Sequence, residues 1–449
     1  MPSVDRNRLQ AAMAKEQDLF RERHTASLKL HSQSGRLLSG VPMPWMTRWP
    51  GGSPVYFVEA HGARFIDVDG HEYVDFCMGD TGAMTGHGLQ QVADALHDRA
   101  RRGITTMLPS EDSLWVAQEL ERRFGLPKWQ FAMTATDANR FVIRFARELT
   151  QRPKIAVFDW CYHGSVDETL VIRDGSGRTV SRPGVIGQHA DVSQTSVSIP
   201  FNNPEELDRL LSKGDVACLL MEPALTNIGI VLPDPGFLDA VRDITRRHGV
   251  LLVIDETHTI CAGPGGCTRE WGLEPDFFVI GKPIGGGMPV AAYGMSSDVA
   301  TQLEAIMAGP TVDVSGVGGT LAGNALAMAA VKATLESTLR DEDFARMIPL
   351  AENWTDGVRA AYEAEGLPWS VQRLGARAEY WFCPPPHDGA AAAAASDSEL
   401  EAFMHLFALN RGVLLTPFHN MALFSPFHIR EDVDRHTVVF EAAVKRIVS

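Results

Sequence analysis

Two short apolar runs each deliver one charged residue, and the two charges are opposite. Leu251–Ile254 stops at Asp255, and Phe277–Ile280 is followed by Gly281 and then Lys282. A four-residue run rich in branched or aromatic side chains, bounded by polar residues or glycine, reads as a buried strand of a parallel sheet. In open α/β sheets the ligand crevice lies at the carboxyl ends of the strands. An acid and an amine delivered there, 27 positions apart, fit a pyridoxal phosphate site. The Lys282 amine would form a Schiff base with the cofactor aldehyde. Asp255 would keep a proton on the pyridine nitrogen, so that the ring draws electrons. A single charged residue at a strand end is more commonly a cap or a solvated side chain, so the neighbouring segments have to decide.

Several of those segments carry groups with a use at such a site. In AMTATDANRFVIRFARELT (132–150), Thr134 and Thr136 precede a helical pattern in which Phe141, Phe145 and Leu149 share a face. A helix N-terminus offers free N–H groups, and threonine hydroxyls add donors, which suits a phosphate monoester. The plain alternative is an N-cap by Thr136 or Asp137, and an acid in that first turn competes with a phosphate. WCYHG (160–164) brings Tyr162 to the end of another apolar run. Its ring would either cover a flat heteroaromatic or pack in the core. EPALTNIG (222–229) brings Glu222 to the same edge, and DETHT (255–259) sets Thr257 beside the ring and His258 near its hydroxyl. A lone histidine is more often structural. GGGMP (285–289) lets backbone pass close to Lys282, because glycine has no Cβ. It is not a GxxxxGK(S/T) phosphate loop, since the lysine precedes the glycines, and no strand–GxGxxG–helix pattern supports a dinucleotide. GVGGTLAGNALAMAA (316–330) opens an apolar helix, with Thr320 as one more phosphate donor.

Positioning these groups requires a sheet with helices on both faces. Between about residues 76 and 335 apolar strands (KIAVFDW, VACLLMEP, LLVID, FFVIGK) alternate with helical segments such as GFLDAVRDITRRHG (236–249), the pattern of a doubly wound α/β sheet. Residues 1 to about 35 read as an amphipathic helical arm through Leu9, Met13, Leu19 and Phe20. SGVPMPWMTRWPGGSP (39–54) is a loop rich in proline and glycine, a common place for function. VYFVEA and ARFIDVDGHEYVDF are strand candidates joined by turn signals. After about 336 long amphipathic helices mix with short strands. The expected division is 1–75 for the arm and a segment packing with the small domain, 76–335 for the large cofactor domain, and 336–449 for a small α+β domain.

The 449 residues, 45% hydrophobic and 22% charged, describe an ordinary globular chain. A formal net charge of −15 argues against nucleic acid or an anionic membrane as partner. The six cysteines form no CxxC pair and read as reduced core thiols. No metal site is expected. No run has the length of a membrane span, and MPSVDRNRLQ is too polar for a signal peptide. A cytoplasmic location is the expectation.

From about residue 36 onward, DVDGHEYVDF, CYHG, EPALTNIG, LLVIDETHT, GKPIGGGMPVAAYG and GGTLAGNALAMAA occur in one order and spacing. That series resembles the class III pyridoxal phosphate aminotransferases of fold type I, in particular the branch containing glutamate-1-semialdehyde aminomutase. The resemblance implies Lys282 as the Schiff-base lysine and Asp255 as the pyridinium partner. Ala135 and Thr136 stand where the family has the Gly-Thr of its SGTEA phosphate loop. Tyr162 matches the ring-stacking aromatic, Glu222 and Asn227 the EP…N segment lining the cofactor, and Thr257 the usual valine on the other ring face. His258 falls where relatives carry Gln or Met. Thr320 matches the threonine that reaches the neighbouring subunit's phosphate, which implies a homodimer with shared sites.

Two departures bear on the substrate. Where the aminomutase branch has an arginine in NSPVR, this chain has Met46 in MPWM, with Arg48 two residues on; where it has PSQFEAG, this chain has PFHNMAL (417–423). Both remove polar groups suited to glutamate semialdehyde. The expectation is therefore an aminotransferase that takes nitrogen from an amine or β-amino acid lined by Trp45, Met46, Phe418 and Met421, and passes it to a keto acid such as pyruvate or 2-oxoglutarate. Arg48 and Arg411 are the candidates for gripping a carboxylate. The alternative is an aminomutase or epimerase with the same cofactor, and a remote one is a non-catalytic scaffold of the same fold.

Overall fold

A computed structural model gives the fold and describes residues 3–448. The chain divides into two compact units. One takes the residues up to Leu89, Glu342–Pro385 and those from Ala395 on; the other takes Gln90–Asp341 and Pro386–Ala394.

In the second unit the apolar runs form one seven-stranded sheet. Its spatial order is 128–132, 291–295, 277–280, 251–255, 216–221, 154–158, 196–199. Ala291–Met295 is antiparallel to both its neighbours, and the remaining pairs are parallel. Val216–Met221 and Phe277–Ile280 are buried at every position. A strand covered by helices on both faces has no solvent side, so its sequence does not alternate. Helix Ala135–Thr150 buries Ala138, Val142, Ile143, Phe145 and Ala146, a stripe at helical spacing. Because the parallel strands run one way, their carboxyl ends, and the residues just beyond them, reach one edge.

In the first unit helix Arg6–Arg23 buries Leu9, Glu16 and Phe20. Phe20 packs with Phe65, Tyr73, Leu406 and Leu409, so the arm lies on a core built from both ends of the chain. His24, Asp67 and His71 bring their ligand atoms within 4.8 Å of one another. Hydrogen bonds join this group: His24 Nε2 to Tyr73 Oη at 2.7 Å, and Tyr73 Oη donating to Asp67 at 2.8 Å. Val413–Leu414 pairs in parallel with Glu72–Asp75 in a four-stranded sheet and does not join the C-terminal sheet. That sheet is antiparallel, with order 370–374, 377–381, 421–423. Residues 76–89, expected with the large domain, belong to the first unit, and 386–394 to the second. No described helix is long and apolar enough to cross a membrane.

Candidate active site

Five strand ends of the second unit supply the chemistry. Strand Leu251–Asp255 ends on Asp255, which is buried. Its Oδ2 accepts from Asn139 Nδ2 at 2.9 Å and is 3.0 Å from His163 Nδ1, and its Oδ1 accepts from the Thr257 N–H at 3.1 Å. Burial alone would raise this carboxyl, but the hydrogen bond and charge of His163, with help from Thr257 and Asn139, hold it below the usual carboxylate range. Burial in turn opposes the charge on His163, yet Cys161 and Asp255 together push it up to about 10. A buried acid kept ionised by a buried base is a fixed negative charge at a strand end.

Lys282 follows strand Phe277–Ile280 after one glycine and opens a short 3-10 turn. Its φ is +49°, a left-handed conformation that costs a residue with a Cβ about 1 kcal/mol or more and recurs at functional sites. Lys282 Nζ lies 2.7 Å from His258 Nε2. His258 precedes the 3-10 turn Thr259–Ala262. That turn is pinned by buried Glu256, which accepts from Thr259 Oγ1 at 2.5 Å and from Thr268 Oγ1 at 2.7 Å.

At the start of helix Ala135–Thr150 the cap is Thr134, whose hydroxyl accepts from the Asp137 N–H at 3.2 Å, rather than Thr136 or Asp137. The Asp137 carboxylate is itself tied to that hydroxyl at 3.0 Å. The first N–H groups of a helix have no intrahelical acceptor, so those of Ala135 and Thr136 are available to an anion. Gly164 (φ +84°) packs so tightly here that a Cβ would sit 2.1 Å from Thr136 Oγ1; at Gly281 one would meet Ala135 Cβ at 3.0 Å. The alanine that replaces the family's glycine is thus accommodated by a glycine opposite it.

Tyr162 lies in the turn after strand Lys154–Phe158. Asn227 Nδ2 donates to Trp160 O in that turn at 2.9 Å. Glu222, buried past strand Val216–Met221, accepts from Thr226. The Thr257 hydroxyl is buried and makes no hydrogen bond among the described residues. Thr320 is exposed in the glycine-rich loop. An ionised acid, an amine, a helix N-terminus narrowed by glycines and a buried hydroxyl without a partner fit a phosphorylated pyridine aldehyde. Asn139 and His163 were not assigned a role from sequence. His163 had a signal, standing beside Tyr162 at a strand end; Asn139, one turn into a helix, had none.

In the first unit, Trp45, Met46 and Arg48 are exposed, in and just after the 3-10 turn Pro44–Thr47, and Trp45 meets Phe418 edge-on at 5.6 Å. Arg411 is committed elsewhere. Both its Nη atoms donate to Glu16 at 2.9 Å, and its guanidinium lies over Phe407. A bidentate pair of this kind occupies the fork that a substrate carboxylate would need, so Arg411 is withdrawn as a substrate residue.

The family model described as Aminotransferase class-III matches residues 46–444. A glutamate-1-semialdehyde 2,1-aminomutase of Sorangium cellulosum is 35% identical over 422 residues, covering 92% of this chain and 95% of that one. A crystal structure described as a glutamate-1-semialdehyde-aminomutase from Pseudomonas aeruginosa superposes with a TM-score of 0.96 at 47% identity, over 99% of both chains. A lysine-to-alanine variant of the Pseudomonas enzyme was solved in complex with PMP, the amine form of the cofactor. An omega-transaminase from Sphaerobacter thermophilus is more distant, with 27% identity and a TM-score of 0.87, covering 95% of this chain and 99% of its own. The expected exchange between an amine or β-amino acid and a keto acid acceptor is overturned by these likenesses, which favour the aminomutase alternative. The loss of two polar groups near the substrate does not by itself set the chain apart from the aminomutases it resembles.

Proposed function

Because the chain belongs to the class III aminotransferases, pyridoxal phosphate enzymes of fold type I, we propose that it is an aminomutase. In this reading it moves an amino group between neighbouring carbons of one small molecule such as glutamate 1-semialdehyde. The observation that carries the reading is the likeness to the Pseudomonas aminomutase, which spans nearly the whole chain.

Bound pyridoxal phosphate supplies an aldehyde for nitrogen and a ring that draws electrons from the carbon losing its proton. The chain's own residues do the rest. Lys282 holds the cofactor between turnovers and carries protons to and from the reacting carbons. Asp255, kept ionised by His163, holds the proton on the pyridine nitrogen. Ala135 and Thr136 bind the phosphate through N–H groups and a hydroxyl. Tyr162 and Thr257 flank the ring, Glu222 and Asn227 support it, and His258 stands near its hydroxyl. Thr320 serves the phosphate of a second subunit, making the working form a homodimer. Trp45, Met46 and Arg48 are the substrate residues, with Arg48 taking the carboxylate.

An aminomutase needs no keto acid partner, because nitrogen taken from one carbon is returned to the next. The test is spectroscopic. Cofactor-loaded protein given glutamate 1-semialdehyde alone should turn over many times and return to its resting spectrum. Arrest after one equivalent, with all cofactor left in its amine form, would identify a transaminase and sink the proposal.

A further inference from the structure

The 2.7 Å contact between Lys282 Nζ and His258 Nε2 fixes how many protons lie between them. An ammonium group can only donate, so Nε2 must then be the acceptor of a neutral imidazole. A neutral amine either donates an N–H to Nε2 or turns its lone pair to an Nε2–H. Either way one proton sits between the two nitrogens, and moving it from one to the other needs no movement of heavy atoms.

Both nitrogens are held from behind. The His258 turn hangs from Glu256, whose carboxylate accepts from Thr259, from Thr268 and from the Cys267 N–H at 3.1 Å. Lys282 is set by its left-handed backbone directly after the strand end. Both side chains are half-buried, so His258 retains some contact with solvent for equilibration.

We infer that His258 is the proton partner of Lys282. Its Nε2 accepts a proton from the Nζ ammonium, leaving a neutral amine with a free lone pair and an imidazolium. The same proton returns along the same hydrogen bond when Lys282 must again be an acid. Only N–H bonds form and break, and no co-reactant is consumed. Lys282 needs that neutral state whenever it attacks an aldehyde or takes a proton from carbon. An aminomutase, the reading on which this part rests, demands it at two adjacent carbons in each turnover. His258 is thus a positioning and proton-relay residue acting through Lys282.

His258→Gln separates this role from a structural one, since the amide oxygen still accepts from Lys282 but cannot carry a proton. The experiment is reconstitution: pyridoxal phosphate is added at saturating concentration to apoprotein, and growth of the lysine-linked absorbance is followed by stopped flow. No substrate is present, so the result does not depend on the aminomutase reading. Lost proton transfer should slow the limiting rate on the order of 10²-fold, with free imidazole in the buffer restoring much of it in His258→Ala. Thermal melting of the His258→Gln apoprotein should match the wild type, as a purely local change requires. An unchanged limiting rate in His258→Gln, or slow reconstitution of His258→Ala that imidazole does not restore, would overturn the inference.

Discussion

At the scale of single residues, the site rests on two charges whose surroundings are built to keep them. Lys282→Ala should bind cofactor without the lysine-linked absorbance and lose turnover, which a visible spectrum and a mass of the borohydride-reduced protein would check. An unchanged spectrum would move the role to another lysine. The Asp255–His163 pair gives a pH prediction with a definite sign. Asp255 is depressed, so its contribution to stability is present above its unfolded value of about 3.9 and lost as pH falls below it. His163 is raised to about 10, so its contribution is complete below about 6.5 and lost as pH rises through 10. The melting temperature of the wild type should therefore exceed that of Asp255→Asn most between about pH 4 and 6.5, and the gap should narrow toward pH 10. A gap that stays constant up to pH 10 would mean that His163 is neutral in the fold. The placement of Lys282 and Asp255 at strand ends was legible in the sequence because each closes an apolar run. The partner of Arg411 was not, because Glu16 lies 395 positions away and only folding brings an N-terminal helix beside it.

At the scale of elements, parallel strands explain why residues scattered from 134 to 282 converge. Their direction alone carries Thr134–Thr136, Tyr162–His163, Glu222, Asp255–His258 and Lys282 to one edge of the sheet. Apolar strands alternating with helices foretold this much. What they could not foretell is the close packing of the turn at Gly164 against the helix start, since a single glycine gives no sign of what stands opposite. Gly164→Ala tests that contact. A Cβ 2.1 Å from Thr136 Oγ1 must push the turn away from the helix N-terminus, and a residue with a Cβ also resists the φ of +84°. The expected result is cofactor affinity reduced about tenfold or more, with a stability loss of about 1–3 kcal/mol, measured by equilibrium titration and thermal melting. Wild-type affinity in a folded Gly164→Ala protein would show that the phosphate does not bind at this helix. The pairing of the short Val413–Leu414 strand with Glu72–Asp75 was not legible either, because the two lie at opposite ends of the chain.

At the scale of the molecule, assembly and reaction class can each be measured directly. Thr320 is exposed, and exposed Met107, Leu108, Val314 and Leu321 lie in the same unit, which supports the proposed homodimer, since large apolar side chains left in water favour association. A dilution series followed by sedimentation and visible absorbance should show cofactor leaving as the dimer dissociates; a monomer that keeps its cofactor at full affinity would refute shared sites. The reaction class was the part least legible from sequence. Met46 in place of an arginine removes one way of gripping a carboxylate, yet it says nothing about whether nitrogen leaves the molecule, because the same lysine, acid and phosphate groups serve both reactions. One measurement addresses that directly. Isotope-labelled glutamate 1-semialdehyde is incubated with catalytic amounts of the cofactor-loaded protein, without any keto acid, and followed by NMR. Expected is complete conversion to 5-amino-4-oxopentanoate, one product for each substrate consumed and no other labelled keto compound. Conversion that starts only when pyruvate or 2-oxoglutarate is added, with one amino acid formed per substrate consumed, would contradict the aminomutase assignment.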